Sequence, residues 1–476
     1  MTDPTYPVVV IGAGPVGLAA AAHLTRRNLP FVVLEAGAQI AASVRAWGHV
    51  RLFSPWRYVM DDAARALLAE TCWQEPDGVL YPTGAELVDQ YLVPLAAHPA
   101  LAPQIRTGHR VVAVARQNHD KMQDAGRADA PFLVRYIHDG HEDQLLARAV
   151  IDASGTWAMP NPLGANGLVA LGEHAAADRI AYGIPDMRGA ERARYAGRRV
   201  LVVGSGHSAF NALLDLAQLP DTPITWAVRR TGTRQLFGGG TADGLAERGK
   251  LGTRAQQLVA SGAIRLETGF RTTRVVTRND AMLVNSDDGR SLGPFDEIIG
   301  CTGFRPDLAA LRELRLELDP SVEAPGALAP LIDPNLHSCG SVPPHGVDEL
   351  SHPETNFYIV GMKSYGRAPT FLLLTGYEQV RSVVAALAGD WAAARDVHLV
   401  LPETGVCVSD REDGCCGVPQ DRSTAAFGQL VIQLSNAAAL QTTCCTPVAQ
   451  TTCCAPEEKT ACCGASGDAC GCAAGG

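Results

Sequence analysis

The 476-residue chain lacks any apolar run of about eighteen residues free of glycine and charge, which excludes a transmembrane helix. It lacks a basic excess: the formal net charge is −10, which argues against a phosphate backbone, and so nucleic acid, as its partner. The apolar start at 8–24 has no basic stretch before it and holds a glycine turn, so it reads as strand plus helix and not as a signal peptide. Cysteine is scarce along most of the chain: of fourteen, only Cys72, Cys301 and Cys339 precede residue 400. Those three are expected to be packed thiols in a reducing, cytoplasmic setting. No Cys-x2-Cys spacing occurs, which removes the usual structural zinc ligand set. What remains, with 46% hydrophobic and 19% charged residues, is a globular enzyme-like composition long enough for roughly three domains.

Two glycine-rich turns stand out, each running off an apolar strand and opening a helix. The first is Gly12-Ala13-Gly14-Pro15-Val16-Gly17 after Val8-Val9-Val10-Ile11; the second is Gly204-Ser205-Gly206-His207-Ser208-Ala209 after Val200-Leu201-Val202-Val203. Glycines at these spacings let the backbone turn sharply and let a pyrophosphate approach a helix N-terminus, where N–H groups and the dipole hold negative charge. Two such turns predict two dinucleotides and electron transfer between them. Strand Phe31–Leu34 ends in Glu35, 21 residues past Gly14, near the spacing at which an acid meets a ribose hydroxyl. The strand after the second turn, Ile224–Val228, ends instead in Arg229-Arg230. An acid there would repel a 2′-phosphate and a guanidinium pairs with it, so NADPH is preferred over NADH.

The predicted fold is α/β with two Rossmann-like dinucleotide-binding domains, the second inserted in the first, followed by a flexible cysteine-rich tail. Residues 1–160 form the first part of the N-terminal domain, 161–295 the inserted domain, 296–400 the second part of the first, and 401–476 the tail. Residues 161–198, rich in Pro, Gly and Ala, read as a connector. Strand 296–300 is expected to re-enter the first domain, and strand Phe357–Val360 and helix Thr375–Leu387 to close it.

The pair of turns, with Leu34-Glu35-Ala36-Gly37, Leu52-Phe53-Ser54-Pro55-Trp56, Tyr81-Pro82-Thr83, Asp152-Ala153-Ser154-Gly155-Thr156-Trp157 and Cys301-Thr302-Gly303-Phe304, resembles the flavin-containing (class B) monooxygenases over about residues 7–390. The run Val360–Pro369 and a cysteine-bearing extension are similar to the flavoprotein monooxygenase-like proteins encoded with arsenic-resistance genes. The Phe-x-Gly-x-x-x-His signature of class B enzymes is absent, and Gly361-Met362 stands where the family has Gly-Asp. The resemblance implies FAD at Gly12, Gly14, Pro15, Gly17 and Glu35, with Trp47, Ser154, Gly155 and Gly361 near the flavin. It implies NADPH at Gly204, Ser205, Gly206, His207, Ser208, Arg229 and Arg230. It implies hydride transfer to the flavin, a flavin C4a-peroxide made from O2, and a small soft substrate bearing arsenic or sulfur. Arg305, His345, His352 and Lys363 are the candidates for catalytic groups, each with a structural role as the rival reading.

The tail carries vicinal pairs at Cys415-Cys416, Cys444-Cys445, Cys453-Cys454 and Cys462-Cys463, the last three repeating every nine residues, and eight acidic against three basic residues from Leu401 onward. Thiolates are soft ligands, so the pairs suit arsenite or a soft metal ion. An alternative makes them a redox relay, because a disulfide between adjacent cysteines is strained and labile; the protein is then an NADPH-dependent thiol–disulfide or metal-ion reductase. A third reading is a metal sink carried on a flavoprotein body. No membrane or nucleic-acid partner is expected, and the oligomeric state is left open, a homodimer included.

Overall fold

The computed structural model describes residues 6–397, apart from 233–235, 239, 241–242, 244, 337–341 and 370. These residues belong to one compact unit, Met1–Asp413; a second, Gly414–Gly476, lies wholly outside them. The cysteine pairs from Cys415 to Cys463, and Cys339, therefore fall outside the described residues.

Short runs of β-branched residues, buried on both faces, build two parallel five-stranded sheets. The first has the order 357–359, 149–152, 8–11, 31–34, 105–106, with Val8 opposite both Phe31 and Ala149. The second has the order 264–267, 224–227, 200–203, 297–300, 180–182. Such unbroken apolar strands need cover on both sides, and helices with antiparallel meanders provide it. One three-stranded meander, 110–116, 132–138 and 141–147, joins the first sheet's core; the other, 272–278, 281–286 and 291–295, joins the second's.

The α/β class with two nested nucleotide-binding folds is as expected, but one strand is not. Glu297–Gly300 does not return to the first sheet: it lies parallel between Val200–Val203 and Ile180–Tyr182 in the second. Ile298 and Ile299 are fully buried in cores of the second domain, and Arg199 pairs with Asp296 at 2.6 Å across the strand ends. The apparent connector likewise supplies that sheet's edge strand, Ile180–Tyr182. Chain order suggested re-entry; the pairing delays it until after Gly300.

Helix Pro15–Arg26 turns a row of buried small residues, Ala19 to Ala22, toward the first core, where it packs on helix Leu373–Leu387. The approach is close: a Cβ on Gly376 would lie 2.7 Å from Val16 Cγ2. Among the described residues no helix is long and apolar enough to cross a membrane.

Candidate active site

Both glycine turns adopt the shape their sequence demands. Gly12 has φ +98° and a Cβ there would sit 2.9 Å from Ala153 O, while one on Gly17 would fall 1.9 Å from Gly12 O. Only hydrogen fits where this helix starts against its strand. Gly14 differs: nothing lies within 4 Å of its Cβ position, and it caps helix Pro15–Arg26 with no side-chain acceptor. Pro15, in the first turn, lacks only an N–H that has no intrahelical partner. The second turn repeats the pattern. Gly204 (φ +123°) leaves no room before Cys301 O, Gly206 opens on space, and helix His207–Leu216 starts without a side-chain cap. Two uncapped helix ends behind open backbone fit two dinucleotide pyrophosphates.

Side chains brace each turn. Glu35, 9% exposed, accepts the N–H of Ala13 and that of Gly37, both at 2.7 Å, so its carboxylate lies against the first turn. Buried Trp226 donates its indole N–H to Gly204 O at 2.7 Å. At the end of Trp226's strand Arg229 is exposed and Arg230 half-buried.

Ser208 of the second turn, with Trp47, Val50, Trp157, Gly183 and Ile184, lines a cleft of ≈ 180 Å³. Trp47 is held by Gly84, whose Cβ would strike its ring at 2.7 Å, and Thr83 starts that helix with a reciprocal capping box to Glu86. Trp157 stacks on Phe304 at 4.9 Å, joining the two junction motifs. His207 faces Phe53 of the first domain at 5.6 Å. Burial, helped by the Arg248 guanidinium and opposed by Asp243, brings its pKa down to about 4, so the ring is neutral at pH 7.

Lys363 is buried under the first site. Its ammonium donates to Asp152 Oδ2 at 2.7 Å and to Ser154 Oγ at 3.0 Å, and Ser154 Oγ donates to Asp152 Oδ1 at 2.6 Å. The cluster ties the end of strand 149–152 to the 361–365 turn, on the two loops that touch Gly12 and Val16. Gly361 (φ +70°) gives its N–H to Gln379 Oε1 at 2.7 Å, and Gly155 takes φ +71° in open space.

The structure separates the four catalytic candidates. Lys363 is spent on the ion pair just described. His345 is buried, its Nδ1 at 3.1 Å from Pro343 O and its Nε2 at 3.1 Å from Gln379 Nε2; burial lowers its pKa, so it accepts from Gln379 as a neutral ring that positions the Gly361 turn. His352 accepts from Glu317 N at 3.3 Å, packs on Phe357, and burial brings it down to about 4. Arg305 donates its Nε–H to Asn161 Oδ1 at 2.8 Å. None of the four lines the cleft. Of the expected packed thiols, Cys301 is buried, donates toward Gly183 O at 3.3 Å and is pushed up to about 12 by that burial, whereas Cys72 is not packed but exposed in a turn after helix Asp62–Leu68. Among the described residues no group of three or more His, Cys, Asp or Glu is placed to hold a metal ion.

Sequence reasoning missed Gln379 and the cleft role of Trp157. The first has no local signal on its helix; the second stood inside a quoted junction motif and is readable as a wall residue only from the fold, where a Cβ on Gly183 would lie 3.0 Å from its ring.

Comparison with known proteins agrees with this geometry. A family model described as pyridine nucleotide-disulphide oxidoreductase matches residues 9–325. A probable indole-3-pyruvate monooxygenase of Arabidopsis thaliana is 30% identical over 231 residues, 45% of each chain. An indole-3-pyruvate monooxygenase of Oryza sativa subsp. indica is 27% identical over 253 residues, 49% of this chain and 51% of its own. The matches thus span about half the length of these curated relatives. Among solved structures, bacillithiol disulfide reductase from Bacillus cereus aligns over 81% of this chain and 99% of its own, with TM-score 0.60 and 19% identity. Flavin-containing monooxygenase from Stenotrophomonas maltophilia aligns over 81% and 98%, with TM-score 0.53 and 23% identity. Both share the fold.

Proposed function

We propose that this chain, which belongs to the pyridine nucleotide-disulphide oxidoreductase family and has FAD and NAD(P)H as its cofactors, is a flavin-dependent, NADPH-using monooxygenase acting on a soft arsenic or sulfur centre. The observation that carries this reading is the cleft that Trp47 and Val50 of the first domain line together with Ser208 of the second glycine turn. FAD held at the first turn would supply hydride acceptance from the nicotinamide and activation of O2.

The chain's own residues bind, orient and keep the site dry. Gly12, Gly14 and Gly17 with the helix end at Pro15 would hold the FAD pyrophosphate, and Glu35, fixed against the turn, would stand at the adenosine ribose. Gly204, Ser205, Gly206 and the helix end at His207 hold the second pyrophosphate, while Arg229 and Arg230 meet the 2′-phosphate. Trp47 and Trp157 would exclude water from the cleft, as oxygen chemistry supplied by a bound flavin would require. Among the described residues no charged side chain lines that cleft, which suits a neutral, soft reductant as substrate. Tail thiols at Cys415, Cys416, Cys444, Cys445, Cys453, Cys454, Cys462 and Cys463 capture arsenite or a soft metal ion.

A reductase reading would need a dithiol beside the flavin. Cys72 and Cys301 are the cysteines among the described residues, one exposed in a turn and one buried with its proton held, and they do not pair. The test is NADPH oxidation by the full chain with trivalent arsenicals, small thiols or neither, with O2 uptake followed in parallel, beside a chain carrying serine at Cys444, Cys445, Cys453, Cys454, Cys462 and Cys463. Substrate-dependent O2 uptake that survives the serine changes supports the monooxygenase. Turnover that needs disulfide and those cysteines, but no O2, refutes it.

A further inference from the structure

Two guanidinium groups converge on one open point of backbone at Gly167. A methyl group placed on Gly167 would lie 3.7 Å from Arg305 Nη2 and 3.9 Å from Arg367 Nη2. Arg305 is half-buried and fixed: its Nε–H is given to Asn161 Oδ1 at 2.8 Å and its backbone N–H to Met159 O at 2.9 Å. Among the described residues its two Nη groups have no acceptor and it has no acidic partner. Arg367 is exposed, held by its backbone N–H on Val322 O, and Glu323 stands 4.0 Å from its Nη1. The surplus is one positive charge, with both Nη2 groups directed at the same place. Like charges so disposed repel unless an anion sits between them, and a guanidinium fork is the natural partner of a carboxylate or similar oxyanion.

The chain around this point is apolar and uncovered. Leu168, next to Gly167, is 68% exposed, Val169 is 43% exposed, and Met159, whose carbonyl fixes Arg305, is 39% exposed. Large apolar side chains gathered at the surface mark binding sites more often than isolated ones do. Arg305 follows Phe304, which stacks on Trp157 of the cleft wall, so one of the two guanidinium groups is carried by the second junction motif.

We propose that Arg305 and Arg367 form a subsite for an amphipathic organic oxyanion, the anionic end between the two guanidinium groups and an aliphatic body on Met159, Leu168 and Val169. This site is separate from the dinucleotide turns and does not depend on the oxygen chemistry proposed above.

Binding to the oxidised, FAD-loaded full chain tests it without turnover, by calorimetry and by Trp fluorescence, with octanoate as probe and octanamide as the neutral match. Octanoate should bind and octanamide should bind about tenfold or more weakly, as expected when charge-assisted hydrogen bonds are lost. Arg305→Gln and Arg367→Gln should each weaken octanoate about tenfold and leave octanamide unchanged, Arg305→Lys should recover part of the loss, and raised salt should weaken octanoate alone. Arg367 is exposed, so its variant folds whatever becomes of Arg305. Equal binding of the two probes, or octanoate affinity unmoved in Arg367→Gln, overturns the proposal; octanoate binding in place of NADPH, abolished by Arg229→Ala, would also overturn it by assigning the anion to the other site.

Discussion

Replacing Lys363 with Met should unbalance the charge under the first nucleotide turn and show how much that charge holds together. Lys363 and Asp152 are nearly inaccessible, 5% and 2% exposed at the side chain, with their charged atoms 2.7 Å apart. Removing the ammonium leaves Asp152 buried with the hydroxyl and N–H of Ser154 as its partners. Breaking one side of such a pair costs about 3–5 kcal/mol, whereas replacing both ions by neutral groups of similar volume is close to neutral. Lys363→Met should therefore lose about 3–5 kcal/mol, and Asp152→Asn/Lys363→Met about 1 kcal/mol, a coupling well above additivity. Urea unfolding of the FAD-loaded protein, read by far-UV circular dichroism and by flavin fluorescence, measures both. Because the pair ties the loops that touch Gly12 and Val16, the flavin signal should be lost at lower urea than the helical signal in the single variant only. A Lys363→Met protein as stable as the parent, or a double variant no better than the single one, refutes the reasoning.

Gly17→Ala should yield protein that folds poorly and retains little FAD, because its Cβ has 1.9 Å to Gly12 O and the helix must withdraw from the strand; overpacking of this kind costs about 1–3 kcal/mol or more, read as flavin content and melting temperature. Arg229→Ala/Arg230→Ala should lower kcat/KM for NADPH about 10–100-fold and leave NADH nearly unchanged, the loss expected for charge-assisted bonds to a phosphate; equal losses for both cofactors would remove the proposed 2′-phosphate contact. His352, held at about 4 against an ordinary value of 6.5, stays neutral in the fold while the unfolded chain takes up a proton, so stability must fall as pH drops from 6.5 toward 4. The term reaches up to about 3 kcal/mol below pH 4, and His352→Phe should flatten that part of the stability–pH curve, measured by urea midpoints at pH 4 to 8.

Local pattern made the two nucleotide turns legible because each glycine meets backbone that leaves no room for a side chain: Gly12 at Ala153 O, Gly17 at Gly12 O, and Gly204 at Cys301 O. Glu35 was legible for the same reason, since a fixed spacing along strand and helix returns it to Ala13. Strand 297–300 was not. Its apolar run suits either parallel sheet, and the choice was made by partners 97 residues upstream, Arg199 on Asp296 and Val200–Val203 alongside. Buried polar clusters were the least readable: Lys363 looked like a catalytic candidate because its partner Asp152 lies 211 residues away in sequence. His345 misled in the same way, as its partner Gln379 comes from a helix whose apolar spacing says nothing of a buried amide.

The central claim is that a nicotinamide and a flavin meet between the two turns, and anaerobic mixing of the purified full chain with NADPH tests it most directly. The account predicts a yellow protein whose visible flavin band bleaches on mixing, in Gly206→Ala more slowly than in the parent. A protein that remains colourless after incubation with FAD, or whose bound flavin keeps its band in excess NADPH and NADH, would contradict it.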